Sequence, residues 1–153
     1  MPGKRLTTEE TEALLKRLPV GHLGLSKDGQ PYVVPLHYIY QDGKIYFHCK
    51  RTGRKLDYIQ ANPRVCFEAS DFVSLILGPT ACDYATEYTS VIVYGRARII
   101  EDDAEKLRVL TGLARKYATP VADRPMAEHE VQRTRAVEIT VVEMTGKVRP
   151  RRM

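Results

Sequence analysis

The sequence predicts a mainly β domain with peripheral helices, its antiparallel strands curling into a small barrel. Three observations carry that expectation. Runs such as Tyr32–Tyr40, Ile45–Cys49 and Thr89–Ile100 alternate from one face to the other and are rich in β-branched and aromatic residues. Asp28-Gly29 and Asp42-Gly43 mark turns, because Asp-Gly readily takes the positive φ of tight hairpin loops. Patterns of helical period are short and bounded by capping or stop residues. The 153 residues are expected to form one domain, 1–153, which buries roughly two-thirds of its unfolded surface.

Taken in order, residues 1–18 hold a first helix. Thr7 and Glu10 have capping-box spacing, Leu14, Leu15 and Leu18 form an apolar patch, and Pro19 closes the run. Val20 to Ser26 is a strand in which His22 serves as a strand residue with a satisfied ring. After the Lys27–Gln30 turn, one strand is expected through Tyr32, Val34, Leu36, Tyr38 and Tyr40. Pro31 and Pro35 cannot donate ladder hydrogen bonds, which puts that strand at an edge or on a bulge. The return strand sends Ile45, Phe47 and Cys49 to one side, Tyr46 and His48 to the other.

The chain then changes character. Lys50, Arg51, Arg54 and Lys55 surround Gly53, and Leu56 and Ile59 begin a helix that Asn62-Pro63 stops. A helix start offers free N–H groups and a positive dipole end, so cations beside it make a phosphate seat, although such a cluster can equally be solvated surface. Arg64 to Leu77 is a near-continuous strand with a bend at Ser70-Asp71. Gly78-Pro79 breaks it and Ala81 to Glu87 is a polar connection. Thr89 to Ile100 resumes the sheet, with Gly95 at a bend. Asp102 and Glu105 open a helix whose face is Leu107, Leu110, Ala114 and Tyr117, a short helix is expected within Met126–Gln132, and Ala136 to Met144 closes the sheet. Residues 145–153 form a basic tail.

Several functions fit poorly. The net charge is +5, but Lys147, Arg149, Arg151 and Arg152 account for four charges, leaving a near-neutral body rather than the stripe that tracks a nucleic-acid backbone. No apolar run approaches the ~20 residues of a membrane span. Cys49, Cys66 and Cys82 are widely spaced, as expected of reduced thiols in a cytoplasmic protein. There is no G-x-S-x-G, H-E-x-x-H, Walker or dinucleotide glycine pattern. His37 and His48, placed on adjacent strands, leave a two-histidine metal or haem site conceivable, with no third ligand apparent. No metal site is expected.

The ordered set PYVVPL, IYFH, the Gly-Arg-Lys helix start and ANPRVCFE resembles the pyridoxamine 5'-phosphate oxidase-like flavin-binding split barrels, nearest the nitroimidazole-resistance (nitroimidazole reductase-like) branch. The likeness continues through EYTSVIVYGRA. It implies a six-stranded antiparallel split barrel that binds FMN, with deazaflavin and haem as alternatives. It also implies a homodimer with flavin at the subunit interface.

By the same resemblance, Val34, Pro35 and Leu36 border the isoalloxazine, and Phe47, His48 and Cys49 continue that wall. Arg54 and Lys55 meet the phosphate with Lys50 or Arg51 nearby, and Ser90 reaches the cofactor from a partner subunit. His48 has two open roles, capping a structural hydrogen-bond network or donating a proton to a small-molecule substrate as the catalytic residue. The implied activity is nicotinamide-driven reduction of a small electron-poor, nitroaromatic-like molecule, with a non-catalytic flavin- or haem-binding storage or sensor module as the alternative. The chain has no tryptophan and lacks the C-terminal arginine-histidine signature of true pyridoxamine 5'-phosphate oxidases, which argues against vitamin B6 oxidation.

Overall fold

The structure is a computed structural model and describes residues 3–150. A short β1 (Lys4–Arg5) precedes α1 (Thr8–Arg17), which Thr7 and Glu10 cap reciprocally as their spacing predicts. There follow β2 (Gly21–Lys27), β3 (Gln30–Leu36), β4 (Ile39–Gln41), β5 (Lys44–Lys50) and α2 (Arg54–Ala61). Then come β6 (Arg64–Ile76), β7 (Ala85–Ile100), α3 (Asp103–Tyr117), α4 (Glu128–Gln132) and β8 (Thr134–Arg149). Six strands of seven or more residues make the barrel, and β1 and β4 are short additions to it.

One antiparallel sheet runs in the order β3-β2-β6-β7-β8-β5-β4, with β1 on β8. Its two ends, β3 and β4, are joined by only His37 and Tyr38. The sheet must therefore roll until its edges nearly meet, and yet no ladder joins β3 to β4. That is a split barrel. The strand expected over 32–40 is in fact two strands, because its halves pair with different partners: Gln30–Leu36 with β2, and Ile39–Gln41 with β5. Turn chemistry at Asp28 and Asp42, with φ of 50° and 52°, closes both hairpins.

The core lies inside the roll, where Leu15, Leu23, Tyr38, Phe47, Phe67, Val91 and Ile139 are fully buried. Tyr38 finds a partner for its hydroxyl by donating 2.7 Å to the Leu15 carbonyl. A smaller cluster under α3 holds Ile39, Ile100, Val109, Leu113 and Ala136. The buried stripe of α3 is Lys106, Val109 and Leu113, one residue out of register with the Leu107–Leu110–Ala114 face expected. Lys106 makes this possible, since its aliphatic stem packs inward while its Nζ reaches Asp103 at 2.9 Å.

Two other expectations change. The bend in β6 is a bulge between Phe72 and Ser74, slightly beyond Ser70-Asp71. The basic end is not a free tail as far as Arg149, because Thr145–Arg149 continue β8, paired with β7, and Lys147 and Val148 also pair with β1. Arg151 and Arg152 lie outside the described residues.

Candidate functional site

Three segments converge where β5 ends. Gly53, at φ 154°, turns the chain into α2 and leaves no side chain to cap it, so the Arg54 and Lys55 N–H groups at the helix start face outward uncapped. Leu56 and Ile59 bury the inner face of α2 and fix its position. The ladder sets Lys50 opposite Thr134, which carries the α4–β8 junction to the same place. Arg51 ties that junction down by donating to the Gln132 carbonyl.

The result is a cavity of about 570 Å³ lined by His48, Cys49, Lys50, Thr52, Gly53, Lys55, Leu56, Arg133 and Thr134. No carboxylate lines it. Among the described residues, none of Lys50, Arg54, Lys55 and Arg133 takes part in an ion pair. Like charges gathered at a concave surface raise the local potential and concentrate anions there.

Consecutive residues of α2 lean on β3, at one edge of the sheet, and on β5, the strand next to the other edge. The Arg54 guanidinium lies 5.4 Å from the Tyr32 ring on β3, and Lys55 Nζ lies 5.9 Å from the Phe47 ring on β5. Tyr58 adds a tilted contact to Tyr32 at 5.2 Å. The start of α2 therefore bridges β3 and β5.

The expected site residues separate into groups. His48, Cys49, Lys50 and Lys55 share the cavity wall, and Arg54 stands beside it on the first turn of α2. Val34 and Leu36 on β3 pack on the core, while Pro35 is exposed on the opposite side of that edge strand, across from His22. Phe47 is entirely core and lies beneath Lys55. Arg51 is occupied by its carbonyl bond. Ser90 is half-buried on β7 between Ser70 and Lys147, away from this cavity. The sequence reading missed Arg133 and Thr134, because only the β5–β8 register brings them in.

His48 sits at the cavity mouth. Loss of hydration among the walls pushes its pKa below the ordinary 6.5, and the neighbouring His37 and Lys55 push the same way. Its ring is therefore neutral at neutral pH, with one nitrogen able to accept. His37 is not on an adjacent strand, as expected, but in the β3–β4 link, where its ring stacks on Tyr117 at 4.4 Å. Burial raises the Cys49 thiol, with Lys55 and Arg135 opposing, so it stays protonated. Among the described residues, no group of three histidine, cysteine or acidic side chains is placed to hold a metal ion.

A split barrel with a cationic helix mouth beside its opening defines the class: neighbouring solved structures are flavin-binding split-barrel proteins. The pyridoxamine 5'-phosphate oxidase family model matches residues 7–148, and the chain belongs to that family. It is similar to the flavocytochrome Anf3 of Azotobacter vinelandii (TM-score 0.83, 25% identity, 94% of this chain and 67% of that one). It is likewise similar to a candidate 5-nitroimidazole antibiotic resistance protein of Bacteroides thetaiotaomicron (0.79, 25%, 97% and 89%). A FAD-binding protein of Mesorhizobium loti aligns over 96% of this chain and 98% of its own (0.72, 26%). A curated but uncharacterised protein of Rhizobium meliloti is 26% identical over 91 residues, and the match covers about half of that protein's length (53%).

Proposed function

We propose that the protein is a flavin-dependent oxidoreductase that binds FMN in the split of the barrel and reduces a small electron-poor molecule, of nitroaromatic type, at the expense of a reduced nicotinamide. The observation that carries this reading is the carboxylate-free cavity at the start of α2, bordered by cations that form no ion pair among the described residues. The donor set fits a phosphorylated flavin. Arg54 and Lys55, with the uncapped N–H groups of the same two residues, offer charge-assisted hydrogen bonds to phosphate oxygens. A bound flavin supplies the redox chemistry itself, which suits a site without a nucleophile–base pair.

The chain's own residues then bind and orient. In this reading the α2 mouth anchors the phosphate and β5 at His48–Cys49 walls the ring, while Val34, Pro35 and Leu36, outside this cavity's lining, would border the ring from the β3 edge. His48, neutral and at the mouth, can bind a substrate oxygen as donor or hold a proton as acceptor. Similarity to the Bacteroides resistance protein supports the nitroaromatic choice. Similarity to a flavocytochrome supports the second reading, a flavin- or haem-binding module without turnover.

Self-association belongs to the same reading. Val33, Tyr94 and Val142, at 65%, 55% and 70% exposure, border an apolar depression of about 900 Å³ on the outer sheet face. Exposed apolar side chains of this kind, here with Arg64 and Arg96 among them, favour an interface, and a second copy seated there would cover them. Ser90, remote from its own chain's cavity, would reach the cofactor only from the partner subunit. Among the described residues no helix is long and apolar enough to cross a membrane, and a cytoplasmic location is part of the proposal.

The test is direct. Purified protein should carry, or take up, a flavin by its visible absorption, and the bound flavin should be reduced by a nicotinamide and reoxidised by a nitro compound. A haem spectrum, or a flavin that no donor reduces, would favour the binding module. Sedimentation of wild type against Tyr94→Asp tests the dimer, which the substituted charge should dissociate.

A further inference from the structure

Arg133 has no role in the reading above, yet the fold holds it in place. It follows α4 directly and precedes Thr134, whose register partner is Lys50. The Arg51 bond to Gln132 fixes the same junction from the other side. Arg133, at the α4–β8 junction, and Lys50, at the end of β5, thus line one cavity, and Lys55 enters it from α2. Neither Arg133 nor Lys50 has an acidic partner among the described residues. Glu130, which feels the Arg133 charge, is bonded to Arg124 at 3.0 Å, and Glu128 accepts from the Gln132 amide at 2.9 Å, so neither carboxylate is paired directly with Arg133.

One phosphate on the α2 mouth would use Arg54 and Lys55 and leave two cations facing the same space. We propose that Arg133 and Lys50 form a second anion seat, adjoining the first, and that the site takes a ligand carrying a diphosphate. Lys55 of the first seat lines the same cavity as Lys50 and Arg133, so two phosphoryl groups of one ligand would meet cations of both seats. A planar guanidinium can bridge two oxygens of one phosphate, whereas the ammonium groups of Lys50 and Lys55 act as point charges. Two common sources carry that chemistry: a flavin dinucleotide, which would span both seats, or the reduced nicotinamide dinucleotide that serves as donor, which would use the second seat beside a bound FMN phosphate. The proposal rests on this cavity being the cofactor site, but the diphosphate seat can be tested without any flavin.

Calorimetric titration with inorganic pyrophosphate and with inorganic phosphate should show pyrophosphate binding at least about tenfold more tightly to the wild type, as two additional charged contacts require. Arg133→Gln and Lys50→Gln should each erase most of that preference with an unchanged melting temperature, and Arg133→Lys should restore part of it. Two further arms locate the source. If Arg133→Gln weakens FAD while sparing FMN, the seat serves the cofactor. If it raises the KM for the nicotinamide while sparing both flavins, it serves the donor. Equal affinity for pyrophosphate and phosphate, or a preference that survives both substitutions, overturns the proposal. Pyrophosphate preference in a protein that takes up no flavin would sustain the seat and defeat the flavin reading instead.

Discussion

Strand β5 has a lysine at each end, and the two are treated in opposite ways. Lys44 lies 3.4 Å from Glu138, a buried carboxylate that also receives Arg98 at 3.0 Å and the Tyr46 hydroxyl at 3.4 Å. Glu105 completes that cluster from α3 through a short contact to Arg98. Lys50, six residues on, faces a cavity shared with Lys55 and Arg133 and meets no acid among the described residues. At one end every charge is answered within the fold, and the group holds α3 to the sheet. At the other end the charges stay unpaired among the described residues, as the proposed phosphate role requires. Removing one partner of a matched buried cluster strands a charge and is costly, whereas cations gathered at a concave surface raise the local potential and attract anions.

The comparison breaks most visibly at the helix mouth. Replacing Arg54 and Lys55 together by alanine should weaken FMN binding by about 100-fold or more, since each charge-assisted contact contributes about 1.5–3 kcal/mol. The melting temperature of the unliganded protein should hold or rise. An equal FMN affinity in a folded double variant would remove the phosphate role.

At the other end of β5 the sign reverses. Burial works against ionisation of Glu138, but the hydrogen bonds and charges of Arg98 and Lys44 outweigh it and hold the carboxyl below its usual 4.5. Glu138→Gln should cost about 2 kcal/mol in denaturant unfolding at neutral pH, discounted because both cations are partly exposed. That contribution is present above pH 4.5 and fades as pH falls through the lowered folded value, so wild type and variant should converge in acid.

A smaller effect comes from the α3 anchor. Lys116 donates to the carbonyls of Leu18 at 2.8 Å and Tyr38 at 3.0 Å and lies 4.0 Å over the Tyr38 ring. Burial lowers its pKa to about 8, which leaves it charged at neutral pH. Lys116→Met should destabilise by about 1–2 kcal/mol by orphaning the Leu18 carbonyl, while the Tyr38 carbonyl keeps the Tyr117 hydroxyl at 2.8 Å; the loss is read as a shift in the unfolding midpoint.

The smallest effect is in titration. His48 should titrate below 6.5 by NMR in the unliganded protein and move upward when phosphate neutralises the cations beside it. Because the folded pKa is the lower one, the unfolded chain binds the extra proton as pH falls below 6.5. Stability therefore declines with acidification from there until the folded value is passed. A His48 shift that ignores added phosphate would separate the ring from the cation cluster.

Much of this arrangement was legible in the residues. The Thr7–Glu10 box, the Asp-Gly turns, the Gly53 helix start and the edge position implied by Pro31 and Pro35 are local signals, and each appears where its chemistry demands. What stayed hidden was non-local. The continuous alternation of Tyr32 to Tyr40 gives no sign that His37 and Tyr38 leave one partner strand for another. Lys106 looks polar in a helical pattern, although its stem is core. Arg133 joins the site only because Lys50 pairs with Thr134 across 84 positions of chain, and no pattern within either segment announces that pairing.

The account depends most on the phosphate being what the α2 mouth holds. Titration of the cofactor-free protein with FMN and with riboflavin, which differ only by that group, isolates it. The account predicts FMN binding about 100-fold more tightly, a gap that narrows as salt is added. Equal affinities at low ionic strength would contradict it.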